Sequence, residues 1–490
     1  MRISLRAALT AAALTLSAAG TAAAQEPTLP ATPDAWMSSN VQFLGSIKQD
    51  VGLTTGAKII PGSGTGANRV PDKMFVTSGK NITIYNIDDP ANPVTMGTLK
   101  VNVAWENEEV PTNGKVLAVA SDFYSAGVPE CVAQLAVDGC VQLFDVRDPA
   151  NIKQVGVIPT ANHTAECVLD CQYFYGRAGS IIDARGVLDG TPPTEVGNWI
   201  NEIKKSASNP RGVDSKSCHH IREISPGRLL TACQPFSLIT VNADDFPGAS
   251  PLHPKVLYSG AAAKFVHSAR WPRAGKDKFV LIGGEKNFKV TCDQKDPAGA
   301  TGNNSEFSTY SAEKVLDEDS TKFEGPLAQV VPTNGTYVDG HAPAGELGCS
   351  VHWFQEQPKF HNGGLVALSE YENGVRFLQI KSDGKIEEQG YFVSLGSSSS
   401  SPKWAPDGKT LYSIDYHRGI DILRWTGDTY VPNAEGKVKH QKGKVRGTNG
   451  KVAPVALTVA QQNRSRALAL QLTSIGWSPG LCYLASHAKA

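Results

Sequence analysis

The chain has 490 residues, 41% of them hydrophobic, and its 47 basic side chains balance 47 acidic ones. That balance excludes the strongly basic surface of a general nucleic-acid binder, and the apolar content excludes a mostly disordered chain. Glycine (47) and proline (30) are abundant while only 19% of residues are charged, which suits many short strands joined by tight turns.

Residues 1–24 read as a signal peptide. Arg2 and Arg6 give a positive start, Ala7 to Ala19 an apolar core, and Ala22-Ala23-Ala24 a small-residue cleavage site. An exported protein, secreted or held in the cell envelope or periplasm, is therefore expected. No later stretch is long and apolar enough for an integral membrane span. Residues 25–39 read as a linker. Asn40 to Ile47 then resembles the closing strand of a unit (compare Val94 to Leu99) although no unit precedes it.

From there one phrase is written twice: Ile84-Tyr-Asn-Ile-Asp-Asp-Pro-Ala-Asn-Pro-Val-Thr-Met-Gly-Thr98 and Leu143-Phe-Asp-Val-Arg-Asp-Pro-Ala-Asn-Ile-Lys-Gln-Val-Gly156. Comparable apolar strands recur at Ser180–Ala184, Leu238–Asn242, Val375–Ile380 and Ile420–Trp425, most with a second apolar run just before them. Seven units result, near residues 85, 144, 182, 240, 285, 378 and 423. Multi-stranded units of this length predict an all-β, seven-bladed β-propeller over residues 40–432, with a stacked solenoid as the alternative. In a ring, residues 40–47 would supply the outer strand of the last blade and remove an exposed edge. Residues 292–348 read as an insertion on blade five, and residues 433–490 as a basic, flexible tail.

Nine cysteines in an exported chain are expected to be mostly paired. Cys218 and Cys233 lie equally far from the Ser225-Pro226-Gly227 turn, so a hairpin sets them opposite each other. Cys167 and Cys171 flank a tight turn. Cys131 and Cys140 could close one loop, and Cys292 and Cys349 the ends of the insertion, leaving Cys482 alone. Zinc-finger spacing is not present.

Function is read from one face. In a four-stranded blade the start of the innermost strand and the loop between the second and third strands open on the same side. The strand starts carry Glu106, Glu108 and Glu109 in blade two, then His163, His219 with His220, His267 and His352 in blades three to six. The loops carry Asp122, Gln234, Glu285, Glu370, Asp415 and His417. Imidazoles and carboxylates aimed at one axis suit a transition metal such as copper or zinc. The expected ligands are Glu108, His163, His220, His267 and His352. Glu106, His219, Asp122, Glu285, Glu370, Asp415 and His417 are expected behind them. The same groups could instead form a structural hydrogen-bonded belt. His253, His341, His361, His440 and His487 read as surface residues. No Gly-x-Ser-x-Gly elbow, phosphate loop or dinucleotide fingerprint is present.

The Asp-Pro-Ala-Asn turns, with Gly374-Val-Arg-Phe-Leu378 and Arg418-Gly-Ile-Asp-Ile-Leu423, resemble the LVIVD-repeat proteins, exported bacterial β-propellers. That resemblance implies the propeller and no particular reaction. A more distant similarity, carried only by the placement of His163, His220, His267 and His352, is to the selenium-binding propellers with methanethiol oxidase activity, and implies copper. The sequence thus supports a binding or scaffold module for a small polar ligand or extracellular protein. The alternatives are a metal-dependent oxidoreductase or hydrolase and a structural cell-envelope protein.

Overall fold

A computed structural model describes residues 35–48, 54–78, 81–100, 108–121, 139–160, 162–205, 207, 213, 218–233, 236–260, 266–285, 306–315, 325–330, 350–371, 373–394, 398–416, 418–428, 430–432 and 438–440. The repeated phrase builds the same turn twice. Asp89 Oδ1 accepts from the Ala91 amide at 3.1 Å, and Asp148 Oδ1 from the Ala150 amide at 3.1 Å. The proline presets the backbone and the aspartate caps the turn. The glycine that ends each phrase has its own reason. A Cβ at Gly97 would overlap the carbonyl oxygen of Pro149, and one at Gly156 would overlap the ring of Pro193. Each unit's outer strand therefore stays bare where the next unit's turn packs on it.

Two N-terminal strands come first, β1 (Ala35–Met37) and β2 (Val41–Ile47). Blade one follows as β3 (Thr54–Ile60), β4 (Lys73–Ser78), β5 (Asn81–Asn86) and β6 (Val94–Lys100). Blade two has β7 (Val116–Ala120), β8 (Val141–Asp145) and β9 (Lys153–Ile158); a bridge from Thr112 to Leu117 sets residues 108–112 beside β7. Blade three comprises β10 (Ala165–Val168), β11 (Tyr173–Gly176), β12 (Ser180–Asp183) and β13 (Thr194–Asn198). Blade four comprises β14 (Cys218–Ser225), β15 (Arg228–Cys233), β16 (Phe236–Thr240) and β17 (Lys255–Gly260). Blade five has β18 (Val266–Arg270), β19 (Phe279–Gly284), β20 (Phe307–Ser311) and β21 (Ala328–Val330). Blade six has β22 (Phe354–Glu356), β23 (Gly364–Ser369), β24 (Val375–Ile380) and β25 (Ile386–Ser394), and blade seven β26 (Ser399–Trp404), β27 (Thr410–Asp415) and β28 (Gly419–Trp425). A hairpin of β29 (Tyr430–Pro432) and β30 (Val438–His440) follows.

The ring closes as expected. β2 pairs antiparallel with β28, from Val41 opposite Trp425 to Ile47 opposite Ile420, so β2 completes the last blade. The core is not one mass but seven wedges. Each of seven buried apolar clusters among the described residues draws its side chains from two neighbouring blades. One wedge joins Ala57, Met74 and Val76 of blade one to Tyr412, Ile414 and Ile422 of blade seven. A solenoid has no such seam, and that alternative is set aside.

Three segments depart from the sequence reading. Residues 35–37, within the presumed linker, add a fifth strand to blade six by pairing with β25. The segment read as an insertion, 292–348, supplies the two outer strands of blade five, β20 and β21. Their short Phe-Ser-Thr-Tyr-Ser and Ala-Gln-Val runs sit among Gly, Asn and acidic residues, which hid the strand pattern. Residues 438–440, in the presumed tail, pair back onto 430–432. Cys167 is bonded to Cys171, and Cys218 to Cys233. Cys140 is also disulfide-bonded. Cys131, Cys292, Cys349 and Cys482 lie outside the described residues. No helix among the described residues is long and apolar enough to cross a membrane.

Candidate metal centre

The innermost strands carry a shared irregularity. β3, β14, β18 and β26 each slip register over one residue, at Thr55, His219, His267 and Ser400. A bulge inserts one unpaired residue and re-aims its side chain. His163 and His352 hold the matching place just before β10 and β22. The loops are stitched blade to blade. Thr164 Oγ1 donates to the His219 carbonyl at 2.8 Å, Ser268 Oγ to the His352 carbonyl at 3.3 Å, and Ser400 Oγ to the Thr55 carbonyl at 3.3 Å.

At the centre stands Glu108, fully buried. Its Oε2 lies 3.6 Å from His267 Nε2 and 3.9 Å from the Nε2 atoms of His163 and His219. Its Oε1 lies 2.7 Å from His352 Nε2. Trp353 Nε1 donates to Oε2 at 2.9 Å and the Tyr416 hydroxyl to Oε1 at 2.8 Å. Glu285 adjoins, 3.7 Å from His267 Nε2, and accepts from the Tyr371 hydroxyl at 2.5 Å. Tyr371 in turn stacks on His352, with ring centroids 4.4 Å apart. Two sets of ligand atoms lie within 4.8 Å of one another: Glu108, His219 and His267, and His267, Glu285 and His352.

Burial opposes ionisation of Glu108, yet His352, His267 and His163 together hold its carboxyl well below the usual range. Burial pushes both His219 and His267 well below the usual imidazole range, helped by His267 and His163 around the first and by His352 and His163 around the second, so both are neutral with a lone pair to offer. His352 differs. Burial would lower it, but Glu108 prevails and raises it. Its Nδ1 faces the Ser400 carbonyl at 2.8 Å and so carries hydrogen there, which makes the contact with Glu108 an imidazolium–carboxylate pair.

Glu108, His163, His267 and His352 come together, and His219 joins them. His220 does not reach Glu108. Its ring stands edge-on to Trp353 at 4.9 Å. The bulge explains the exchange: strict strand alternation cannot say which of two consecutive histidines is the inserted one. Glu370 is engaged with Asn373 (2.5 Å) and Arg376 (3.5 Å). Asp415 caps its loop, accepting from the amides of Ser398 and Arg418. Glu106, Asp122, Gln234 and His417 lie outside the described residues. Sequence reasoning passed over Trp353, Tyr371 and Tyr416. The signal was present, since Glu370-Tyr371 and Asp415-Tyr416 occupy matching loops of blades six and seven.

A second layer lies beside the first. Three residues beyond each hub position come Lys58, Glu166, Arg222, Arg270, Gln355 and Lys403. Glu109 Oε1 meets Arg222 Nη2 and Lys403 Nζ, each at 3.0 Å, and Arg270 Nη2 at 3.9 Å. Burial opposes charge on Glu109, but Lys403, Arg222 and Arg270 hold it far below the usual range. Burial, helped by the two arginines, brings Lys403 down to about 8.

No family model and no curated protein matches the chain. Among solved structures it is similar to a chain of the mitotic checkpoint complex, at 13% identity and a TM-score of 0.42, over 82% of this chain and 98% of that one. It is also similar to the β-propeller domain of Myceliophteria thermophila Cps50 (Swd1), at 12% identity and a TM-score of 0.44, over 78% of this chain and 99% of that domain. The ring rests on the strand pairings and the inter-blade wedges rather than on these likenesses.

Proposed function

We propose that this chain is an exported, metal-binding β-propeller whose hub holds one transition ion through Glu108, His219 and His267, with His163, His352 and Glu285 alongside. The observation that carries this reading is the set of three imidazole nitrogens at 3.6–3.9 Å from a single oxygen of Glu108. Those separations are too long for hydrogen bonds. They are close to the roughly 3.4 Å between two ligands that each sit about 2.1 Å from a tetrahedral ion. The donor set of neutral imidazoles and one carboxylate suits zinc or copper. Trp353 and Tyr416 fix the carboxylate from behind, and the blade-to-blade hydrogen bonds hold the loops that carry the rings.

Export is supported by the pattern of residues 1–24 and by the Cys167–Cys171 and Cys218–Cys233 bridges, which suit an oxidising compartment. The Asp-Pro-Ala-Asn turns support kinship with LVIVD-repeat propellers. A catalytic role, as a metal-dependent oxidoreductase or hydrolase, is the second reading. It is favoured by Tyr371 and Tyr416, whose hydroxyls touch Glu285 and Glu108 beside the imidazoles.

Metal analysis of protein purified without a histidine tag tests the first reading. One equivalent of copper or zinc, lost in His267→Ala and Glu108→Gln, is expected. Protein that carries no metal and binds neither added ion overturns it.

A further inference from the structure

We propose that the second layer is an anion site, taking one small oxyanion against Arg222, Arg270 and Ser401. The inference is independent of the metal reading, because it uses different residues and different chemistry.

Charge is the first ground. Lys58, Arg222, Arg270 and Lys403 are set against Glu109, Glu166 and Glu356, leaving cations in excess in a place where Glu109, Glu166, Arg270 and Lys403 are all buried. Three of those cations converge on one carboxylate oxygen, Glu109 Oε1, and the other carboxylate in reach is Glu356, 3.4 Å from Arg270, so two negative charges face three positive ones. A buried charge without a counter-charge is costly.

Unmet hydrogen-bonding capacity is the second ground, and it does not depend on charge. Among the described residues, Arg222 Nε, Arg270 Nε, Ser401 Oγ and both ring nitrogens of His220 are buried with no hydrogen-bond partner. His220 is 1% exposed and Ser401 is fully buried. His220 and Arg222 are two residues apart on β14, as Ser401 and Lys403 are on β26, so each pair shares one face of its strand. Two guanidinium N–H groups and a hydroxyl are donors that need acceptors, and an oxyanion supplies several at once together with the missing negative charge. A halide would answer the charge but offers less directional acceptance for planar guanidinium groups.

Sodium sulfate, sodium phosphate and sodium acetate, each compared with sodium chloride at equal ionic strength, are titrated against the full-length protein by thermal shift and calorimetry. At least one oxyanion is expected to bind in a single site with a dissociation constant under about 1 mM, and the three arms separate a tetrahedral from a carboxylate ligand. Arg270→Gln is expected to weaken binding at least tenfold while leaving bound metal unchanged. Should Arg270→Gln not fold, Ser401→Ala and a selenium-edge anomalous map of wild-type crystals soaked in sodium selenate take its place, with a peak expected beside Arg222 and Arg270. Equal responses to chloride and to all three oxyanions, or ordered water alone at those atoms in the soaked crystals, would overturn the proposal.

Discussion

Tyr412 tests ring closure most sharply. It is fully buried in the wedge between blades seven and one, and its hydroxyl donates to the Pro90 carbonyl of blade one at 2.9 Å. In an open array this face of the last unit would look into solvent. Tyr412→Phe removes one hydrogen bond, worth about 1 kcal/mol. Tyr412→Ala also empties the wedge beside Ala57, Met74 and Ile414, and large aromatic-to-alanine changes in cores cost about 3–5 kcal/mol. A unit of roughly 390 residues has an unfolding entropy of about 0.8 kcal/mol/K, so these losses lower Tm by about 1 and about 5 °C. Calorimetry of the two variants measures both. A Tyr412→Ala protein within about 0.5 kcal/mol of wild type, as a surface substitution would be, refutes the closed ring.

Glycine spacing gives a paired prediction. Gly97→Ala forces a methyl into the Pro149 carbonyl and is expected to cost about 1–3 kcal/mol in chemical denaturation, whereas Gly45→Ala, with nothing within 4 Å of the new atom, is expected to stay within about 0.5 kcal/mol. Equal effects would remove the packing reason for the repeat's terminal glycine. Glu370 predicts a pH dependence. Burial pushes its carboxyl from 4.5 up to about 7, so the folded state keeps the proton after the unfolded chain has released it. Its contribution to stability therefore falls as pH rises from about 4.5 to about 7, by on the order of 3 kcal/mol, and is flat above. Urea unfolding of Glu370→Gln at pH 5 and at pH 7.5 is expected to show that decline removed; parallel profiles for variant and wild type would count against it. His220→Phe is expected to retain bound metal that His267→Ala loses, because only the second ring reaches Glu108.

The fold was legible because the units reuse local solutions. The capped Asp-Pro-Ala-Asn turn and the bare glycine of blades one and two are dictated within a dozen residues, and the orphan strand at residues 41–47 pointed to its partner by resembling other outer strands. The Cys218–Cys233 bridge was legible for a similar reason, since a hairpin fixes which positions face each other. The site was legible as a set of blades rather than as a set of atoms. Which of His219 and His220 meets Glu108 depends on a bulge, and a one-residue slip leaves no mark in hydrophobic alternation. Trp353, Tyr371 and Tyr416 enter through contacts between blades far apart in sequence. The cation layer was encoded at a constant offset of three from the hub residues, and aligning the units on their histidines exposes it. β20 and β21 were lost for a plainer reason, being short strands within a long polar stretch.

The central claim is that a transition ion is held by imidazole and carboxylate together at the hub. X-ray absorption at the metal edge, on protein loaded with one equivalent of zinc or copper, reads that environment directly. A shell of nitrogen and oxygen neighbours at about 2.0–2.2 Å, with the outer-shell scattering of at least two imidazole rings that disappears in His267→Ala, is the expected result. A shell of oxygen alone, unchanged by that substitution, would contradict it.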